Sequence, residues 1–116
     1  MKSLAFPLIL LAALDAPELL QIAGKCNYGR IVQNERQLTV VEHPRWTAIG
    51  SVRPDGKVFL TWTDAFGNCT AISVYSVKGK RLVGEWGWSN DCSIGEDGEL
   101  VGDVDALGDD TIYPVD

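Results

Sequence analysis

The chain has 116 residues, of which 46% are apolar and 22% are charged. This length suits one domain, and this composition excludes the disordered class of protein, which is poor in apolar residues. The formal net charge is −6, and residues 1–81 carry ten bases and six acids whereas residues 82–116 carry ten acids and no base. Net acidity argues against general nucleic-acid binding, which depends on neutralising phosphates with Lys and Arg.

The N-terminal segment begins with Lys2 and an apolar run, Leu4–Leu14. A transmembrane helix needs about twenty apolar residues, so we expect no integral membrane span here. The run has the length of a signal-peptide core, which predicts a secreted or periplasmic protein. The alternative is a short apolar helix that docks on the domain or on a partner, in a protein that is cytoplasmic or part of a larger assembly. In both cases residues 1–23 are interpreted as a leader and residues 24–116 as a single β domain.

From Gly24 onward, short segments that are apolar or that alternate apolar with polar residues are separated by residues typical of turns. The strongest turn signals are Pro54-Asp55-Gly56, Gly79-Lys80 and Asp97-Gly98, because Gly and Asp adopt the backbone conformations that tight turns require. The stretch Asp105–Asp110 is interpreted as a loop. The predicted strands are Gln37–Glu42, Trp46–Val52, Lys57–Thr63, Cys69–Lys78, Arg81–Trp88, Cys92–Ile94, Glu99–Val104 and Thr111–Tyr113.

Short connections between strands favour an antiparallel meander. A meander of this size must cover its apolar face, so we predict an all-β fold closed as a small barrel, with a two-sheet β-sandwich as the alternative. Gly84 and Gly87 lie within one predicted strand and indicate a bulge or a close approach of backbones. The succession of strand, hairpin and Leu-x-Gly-x-Trp-Gly over residues 82–87 is similar in pattern to lipocalin-like and avidin-like barrels, and no site residue is transferred from them.

The three cysteines, Cys26, Cys69 and Cys92, leave two alternatives open. In a secreted chain Cys69 and Cys92, which both lie beside turns, could form one disulfide and leave one free thiol. The other alternative is three free thiols. Because no Cys-x-x-Cys spacing exists and His43 is the only histidine, a structural zinc site is not expected.

The aromatic residues are the main candidates for binding, since four Trp are many for a domain of this size. Alternation places Trp86 in the core. The remaining aromatic side chains could line a cavity or an apolar patch that receives a ligand or a protein. The predicted contact residues are Trp46, Trp62, Tyr75 and Trp88.

The acids of the C-terminal third lack the ordered ligand spacing of a calcium loop. They are interpreted as solvated loop residues, with a weak divalent-cation site as the alternative. These acids include Asp91, Glu96, Asp97, Asp103, Asp105, Asp109 and Asp110.

No recognisable catalytic motif accompanies His43, which is interpreted as a turn residue. We therefore expect no enzyme, no cofactor and no metal. The predicted function is a non-catalytic binding or structural interaction module, such as a subunit of an assembly. It would present aromatic residues and an acidic face to a protein partner or to a second copy of itself. The alternative is a small-ligand carrier with a lipocalin-like or avidin-like barrel.

Overall fold

The computed structural model describes residues 23–42, 46–103 and 105–115. The predicted leader up to residue 22, with its alternatives of signal peptide and docking helix, lies outside the described residues, as does His43. The described residues form strands and no helix. The strands are β1 (Gly24–Cys26), β2 (Gly29–Asn34), β3 (Gln37–Glu42), β4 (Trp46–Val52), β5 (Val58–Thr63), β6 (Cys69–Lys78), β7 (Arg81–Trp88), β8 (Cys92–Ile94), β9 (Leu100–Gly102) and β10 (Leu107–Ile112).

Eight of these strands form one antiparallel sheet in the order β1-β2-β3-β4-β5-β6-β7-β10. The prediction of an all-β antiparallel meander is therefore confirmed. The prediction of a closed barrel is wrong, because the sheet curls into a half-barrel and does not close. The reason is the shortness of β1, which has three residues and meets the chain beyond β10 only at an isolated bridge between Cys26 and Pro114.

The two ends of the sheet approach each other along a line that we call the seam. Here the Asn27 side chain forms hydrogen bonds with backbone groups that follow the pattern of a neighbouring strand. Its Nδ2 donates to the Thr111 carbonyl oxygen (2.9 Å), and its Oδ1 accepts from the Tyr113 backbone N–H (2.9 Å). The backbone adds two hydrogen bonds, from Asn27 N–H to the Tyr113 carbonyl (3.0 Å) and from Val115 N–H to the Lys25 carbonyl (3.2 Å). The seam is thus joined by a few hydrogen bonds where a closed barrel would have a continuous ladder.

The inner face of the half-barrel is built from alternating large and small residues along rows that cross the strands. In one row Trp62 pairs with Ala48 on one side and with Ala71 on the other, and Ala71 pairs with Trp88. Small residues between large ones let bulky side chains fill the narrow interior of a curled sheet. The largest of the fully buried side chains in this interior are Ile31, Leu38, Val40, Val52, Val58, Leu60, Tyr75, Leu82 and Ile112.

The close approach of backbones predicted from Gly84 is confirmed. A Cβ at Gly84 would lie 1.9 Å from the carbonyl oxygen of Val74 on the neighbouring strand, so no larger residue fits there. The predicted bulge, in contrast, is not at residues 84–87. The register irregularity lies between Trp62 and Thr63, at the end of β5.

The hairpin of β8 and β9 leaves the main sheet and folds back over its outer face. A Cβ at Gly98, in its turn, would lie 3.4 Å from Arg53 Nη1 and 3.5 Å from Phe59, and Lys57 Nζ contacts Glu99 Oε1 at 2.6 Å. Val74, on this outer face, is also buried. This second sheet has only two strands, so the fold is a half-barrel with a small added hairpin and not the two-sheet β-sandwich given as the alternative.

Strand boundaries between residues 37 and 94 agree closely with the prediction, whereas those after residue 94 do not. The interpretation of Asp105–Asp110 as a loop is wrong, because Leu107–Ile112 forms β10 and pairs with β7 in register Leu107↔Gly87 to Ile112↔Leu82. The sequence Gly108-Asp109-Asp110 is typical of a turn. Its cross-strand pairing with β7 outweighs this local preference.

Three described hairpins use two-residue turns: β1–β2, β2–β3 and β6–β7. The last two differ in how well their sequences suit the turn. Gly79, at φ 64°, begins the turn between β6 and β7, as predicted. The turn between β2 and β3 has Glu35 at φ 56°, and it is the only described residue other than glycine with a positive φ. Side chains disfavour this conformation because Cβ crowds the following carbonyl oxygen.

Candidate functional site

A cleft opens at one end of the half-barrel, where β4 begins and β5 ends; we call this end the mouth. Its volume is about 160 Å³, close to that of cavities that hold a single aromatic ring. The cleft is open to solvent. We call it the aromatic cleft, and its lining residues are Tyr28, Trp46, Trp62, Ala71, Trp86, Trp88 and Asp110.

The strand register explains why the space exists. Ala71 lies between Trp62 and Trp88 in one row of the inner face, so a methyl group forms the floor while indoles stand on either side. Trp86 and Trp88 are two residues apart on β7 and therefore share the inner face. Their rings meet edge to face, with centroids 4.8 Å apart and an interplanar angle of 88°.

Tyr28 closes the cleft from the other side of the seam. It lies in the turn between β1 and β2, and its ring contacts Trp62 edge to face with centroids 5.3 Å apart. Its hydroxyl donates to Oδ1 of Asp110 on β10. The wall formed by Tyr28 is therefore fixed to the opposite end of the sheet by a hydrogen bond.

Asp110 is the one charged side chain among those that line the cleft. Tyr75 donates to its Oδ2 at 2.5 Å, so each carboxylate oxygen accepts one tyrosine hydroxyl. Two O–H donors suit an ionised carboxylate, which can only accept. The pairing holds an acid within an aromatic wall, where an unpaired charge would be strongly disfavoured.

Of the two tyrosines that donate to Asp110, Tyr75 is the buried one. Burial raises the pKa of Tyr75 far above its ordinary value, and the Asp110 charge and hydrogen bond act in the same direction. A hydrogen bond with Ser73 acts in the opposite direction. Tyr75 therefore stays protonated and remains a hydrogen-bond donor to Asp110 throughout the neutral range.

Trp62 forms the innermost indole of the cleft and is only 7% exposed. Its Nε1–H donates to Ser73 Oγ at 2.8 Å, and Ser73 is completely buried. A buried indole N–H requires such a partner, since leaving it unpaired costs free energy. The bond fixes the orientation of the ring and leaves its carbon surface facing the cleft.

Trp88 forms the outer rim and is 48% exposed. Its carbonyl oxygen accepts from the backbone N–H of Asp91 (2.9 Å) and from Cys92 Sγ (3.2 Å), which holds the chain in a tight turn after β7. A second, more polar cavity of about 440 Å³ adjoins the cleft and shares Trp46 and Trp88 with it. Thr70, which lines this second cavity, has a buried Oγ1 without a hydrogen-bond partner among the described residues.

The described connections at the mouth carry acids and no Lys or Arg. The acids are Asp64, Asp91, Asp103 and Asp105. At the other end of the half-barrel the described turns carry both signs: the bases are Arg36, Arg53, Lys57 and Lys80, and the acids are Glu35, Asp55, Glu96, Asp97 and Glu99. The β8–β9 turn supplies three of those five acids, so the C-terminal acidic third is divided between the two ends.

Three of the four predicted contact residues, Trp46, Trp62 and Trp88, come together in the aromatic cleft. Tyr75 does not line it: this residue is 1% exposed and contributes only its hydroxyl, from beneath, to Asp110. Trp86, expected in the core, is half-buried and lines the cleft while packing against the core.

Sequence reasoning missed Tyr28 and Asp110. The signal for Asp110 was the alternation of Gly108, Asp110 and Ile112, which share the inner face of β10. A Cβ at Gly108 would lie 2.7 Å from Trp86 Nε1, so the glycine makes room for that indole. Tyr28 has no comparable signal, because its position depends on how far the sheet curls.

Among the described residues, no three His, Cys, Asp or Glu side chains converge as they would around a metal ion. Cys69 and Cys92, the pair considered for a disulfide, are not joined to each other in this structure. Partial burial and the neighbouring Asp91 raise the pKa of the Cys92 thiol. The described residues contain no helix of the length and apolar character needed to span a membrane.

Comparisons with protein-family models, with curated proteins and with solved structures find no match to this chain. The geometry of the cleft is therefore the basis for any statement about function.

Proposed function

We propose that this protein is a non-catalytic binding module and that the aromatic cleft is its binding site. The observation that carries the proposal is the convergence of five aromatic side chains and Asp110 on one open cavity. Aromatic rings that face solvent retain apolar surface that a ligand can cover. Contiguous exposed apolar patches often mark binding sites. The hydroxyl and indole hydrogen bonds that hold Asp110 and Trp62 keep the walls in place before a ligand arrives.

The charge distribution supports a cationic partner. The mouth bears four acids in its described connections, and it surrounds a cleft that contains a further carboxylate. A negative field of this kind attracts positively charged groups and speeds their encounter. Self-association through opposite ends of the half-barrel has less support, because the bases at the far end face acids such as Glu99, which pairs with Lys57.

The packing beneath the cleft favours a binding module over a lipocalin-like or avidin-like carrier. Leu38, Leu60 and Tyr75 fill the interior and are at most 1% exposed. The cleft of about 160 Å³ is smaller than the roughly 300–1,000 Å³ of pockets that enclose a whole drug-sized ligand. The adjoining cavity of about 440 Å³ is lined by residues of the mouth, such as Ser89 and Asn90, and does not lie inside the half-barrel. The aromatic cleft suits one ring-sized group at the end of a larger molecule.

The test is to follow the four indole N–H resonances by NMR while ring-sized cationic, neutral and anionic compounds are titrated into the full chain. We expect at least one class to shift the resonances of Trp46, Trp86 and Trp88 saturably. Trp88→Ala should weaken that binding, and Phe66→Ala should not, because Phe66 is 88% exposed and lies outside the cleft. Absence of any saturable shift at millimolar concentrations would show that the cleft is not a binding site.

A further inference from the structure

We propose that the aromatic cleft recognises a methylated ammonium group, of which a trimethylammonium group is the simplest example. This inference rests on the proposed function and goes beyond it by naming the chemistry of the ligand. It concerns a free cation or the side chain of a modified protein, which present the same group to the cleft.

The first argument is the combination of several aromatic rings with a single negative charge. A cation held against aromatic faces is attracted by their quadrupoles, and the attraction is strongest for Trp and grows when water is excluded. The cleft has four indoles and one phenol around it, and its one charged lining side chain is the carboxylate of Asp110. A neutral ring would gain only the dispersion and apolar contacts, whereas a cation gains these and the electrostatic attraction.

The second argument is the shortage of hydrogen-bond acceptors. Apart from Asp110 and the phenol oxygen of Tyr28, the lining side chains are indoles and the methyl group of Ala71. Each oxygen of Asp110 accepts one hydroxyl, from Tyr28 or from Tyr75, which occupies one of the two acceptor positions of that oxygen. A primary ammonium brings three N–H donors and a guanidinium five, and the lining side chains offer few acceptors for them. A quaternary ammonium brings none.

The third argument is size and access. A volume of about 160 Å³ accepts a compact group with the bulk of one aromatic ring. The mouth is open and carries Asp64, Asp91, Asp103 and Asp105 in its described connections, so a cation is drawn towards the cleft from solution. Backbone hydrogen bonds from Asn68 and Phe66 lower the pKa of Asp64, which keeps this carboxylate charged into the acidic range.

The experiment uses the full chain and three matched probes: choline, its neutral carbon isostere with a tert-butyl group in place of trimethylammonium, and ethanolamine. Binding is read from the indole N–H shifts and from quenching of Trp fluorescence. We expect choline to bind at least about tenfold more tightly than either matched probe, a difference of about 1.4 kcal/mol. A peptide with one trimethyllysine, compared with the same unmodified peptide, adds a second arm. Tighter binding of that peptide than of choline would point to a protein partner, and the reverse to a free cation; both support the inference.

Asp110 and Asp109 provide a matched pair of variants, because they are adjacent on β10 and face opposite sides of the sheet. Asp110→Asn should weaken choline binding about tenfold, while Asp109→Asn, at an exposed position, should change it less than about twofold. Trp88→Leu keeps apolar bulk at a position that is 48% exposed and should weaken binding about fivefold without unfolding the protein. Circular dichroism establishes that each variant is folded.

The outcomes separate the two levels of the proposal. Equal binding of choline and the neutral isostere would overturn the ammonium inference and leave the binding module standing. Tighter binding of ethanolamine than of choline would overturn the requirement for methylation. Failure of all three probes, with no other compound shifting the indole resonances, would overturn the inference and the proposed function together.

Discussion

Replacing Ser73 by alanine should destabilise the protein by about 2 kcal/mol, within the range of about 1–3 kcal/mol for a buried polar group that loses its partner. Ser73 is completely buried, and its Oγ is the acceptor for Trp62 Nε1–H at 2.8 Å. Alanine removes the acceptor and leaves the indole N–H in a site that water does not reach. Packing changes little, because only one oxygen atom is lost.

Urea unfolding, followed by Trp fluorescence, measures this cost. For a small domain, 2 kcal/mol corresponds to a fall of about 1 M in the midpoint of unfolding. Ser76→Ala is the matched control: Ser76 is on the same strand but exposed, and its removal should change stability by less than about 0.5 kcal/mol.

A double-mutant cycle with Trp62→Phe assigns the effect to the hydrogen bond. Phenylalanine has no N–H to satisfy, so Ser73→Ala should cost about 1 kcal/mol less in this background. A residual cost is expected because Ser73 also acts on the Tyr75 hydroxyl. The reasoning is refuted if Ser73→Ala costs under about 0.5 kcal/mol, or if its cost is the same with Trp or Phe at position 62.

Two further predictions concern Tyr75 and Glu35. Above pH about 10 an unfolded tyrosine releases its proton while the folded Tyr75 retains it, so the free energy of unfolding should fall with rising pH by up to about 1.4 kcal/mol per unit. Urea unfolding at neutral and alkaline pH should show a shallower decline for Tyr75→Phe, and an unchanged slope would contradict the assignment. Glu35→Gly should raise stability by about 0.5 kcal/mol, because glycine adopts the φ of 56° without crowding. Glu35→Ala should give no such gain in thermal unfolding, and an equal gain would mean that charge rather than conformation is responsible.

The strands between residues 37 and 94 could be predicted from sequence because their turns are encoded locally. Gly79 begins a two-residue turn, and the Pro54-Asp55-Gly56 segment ends β4 and precedes β5 with Gly56 at φ 90°. Local chemistry of this kind does not depend on distant contacts. The last strand could not be predicted in the same way, because Gly108-Asp109-Asp110 favours a turn and becomes a strand only by pairing with β7.

The site could be predicted only incompletely, for a related reason. Alternation assigns Trp62, Trp86 and Trp88 to the inner face, but it does not tell which of them a curled sheet leaves uncovered. The exposure of each depends on the size of its neighbours in other strands, such as Ala71. In an alternating strand the inward-facing positions are expected to be apolar, so a carboxylate on the inner face is contrary to the pattern. Asp110 is tolerated there because two tyrosine hydroxyls from distant regions of the chain reach it.

The seam has a consequence for how the folded protein fluctuates. Cooperative units of a native structure open locally where few hydrogen bonds hold them, and the amides of such units exchange with solvent before those of the core. Along the seam the Asn27 side chain, two backbone hydrogen bonds and the Tyr28–Asp110 hydrogen bond replace a continuous ladder, so β10 should exchange faster than β5 and β6, which are paired on both sides. Tyr28 and Asp110 belong to the two borders of this line. Its transient opening would separate these walls of the aromatic cleft while the rest of the sheet stays folded, giving a bulky molecule a route in and out.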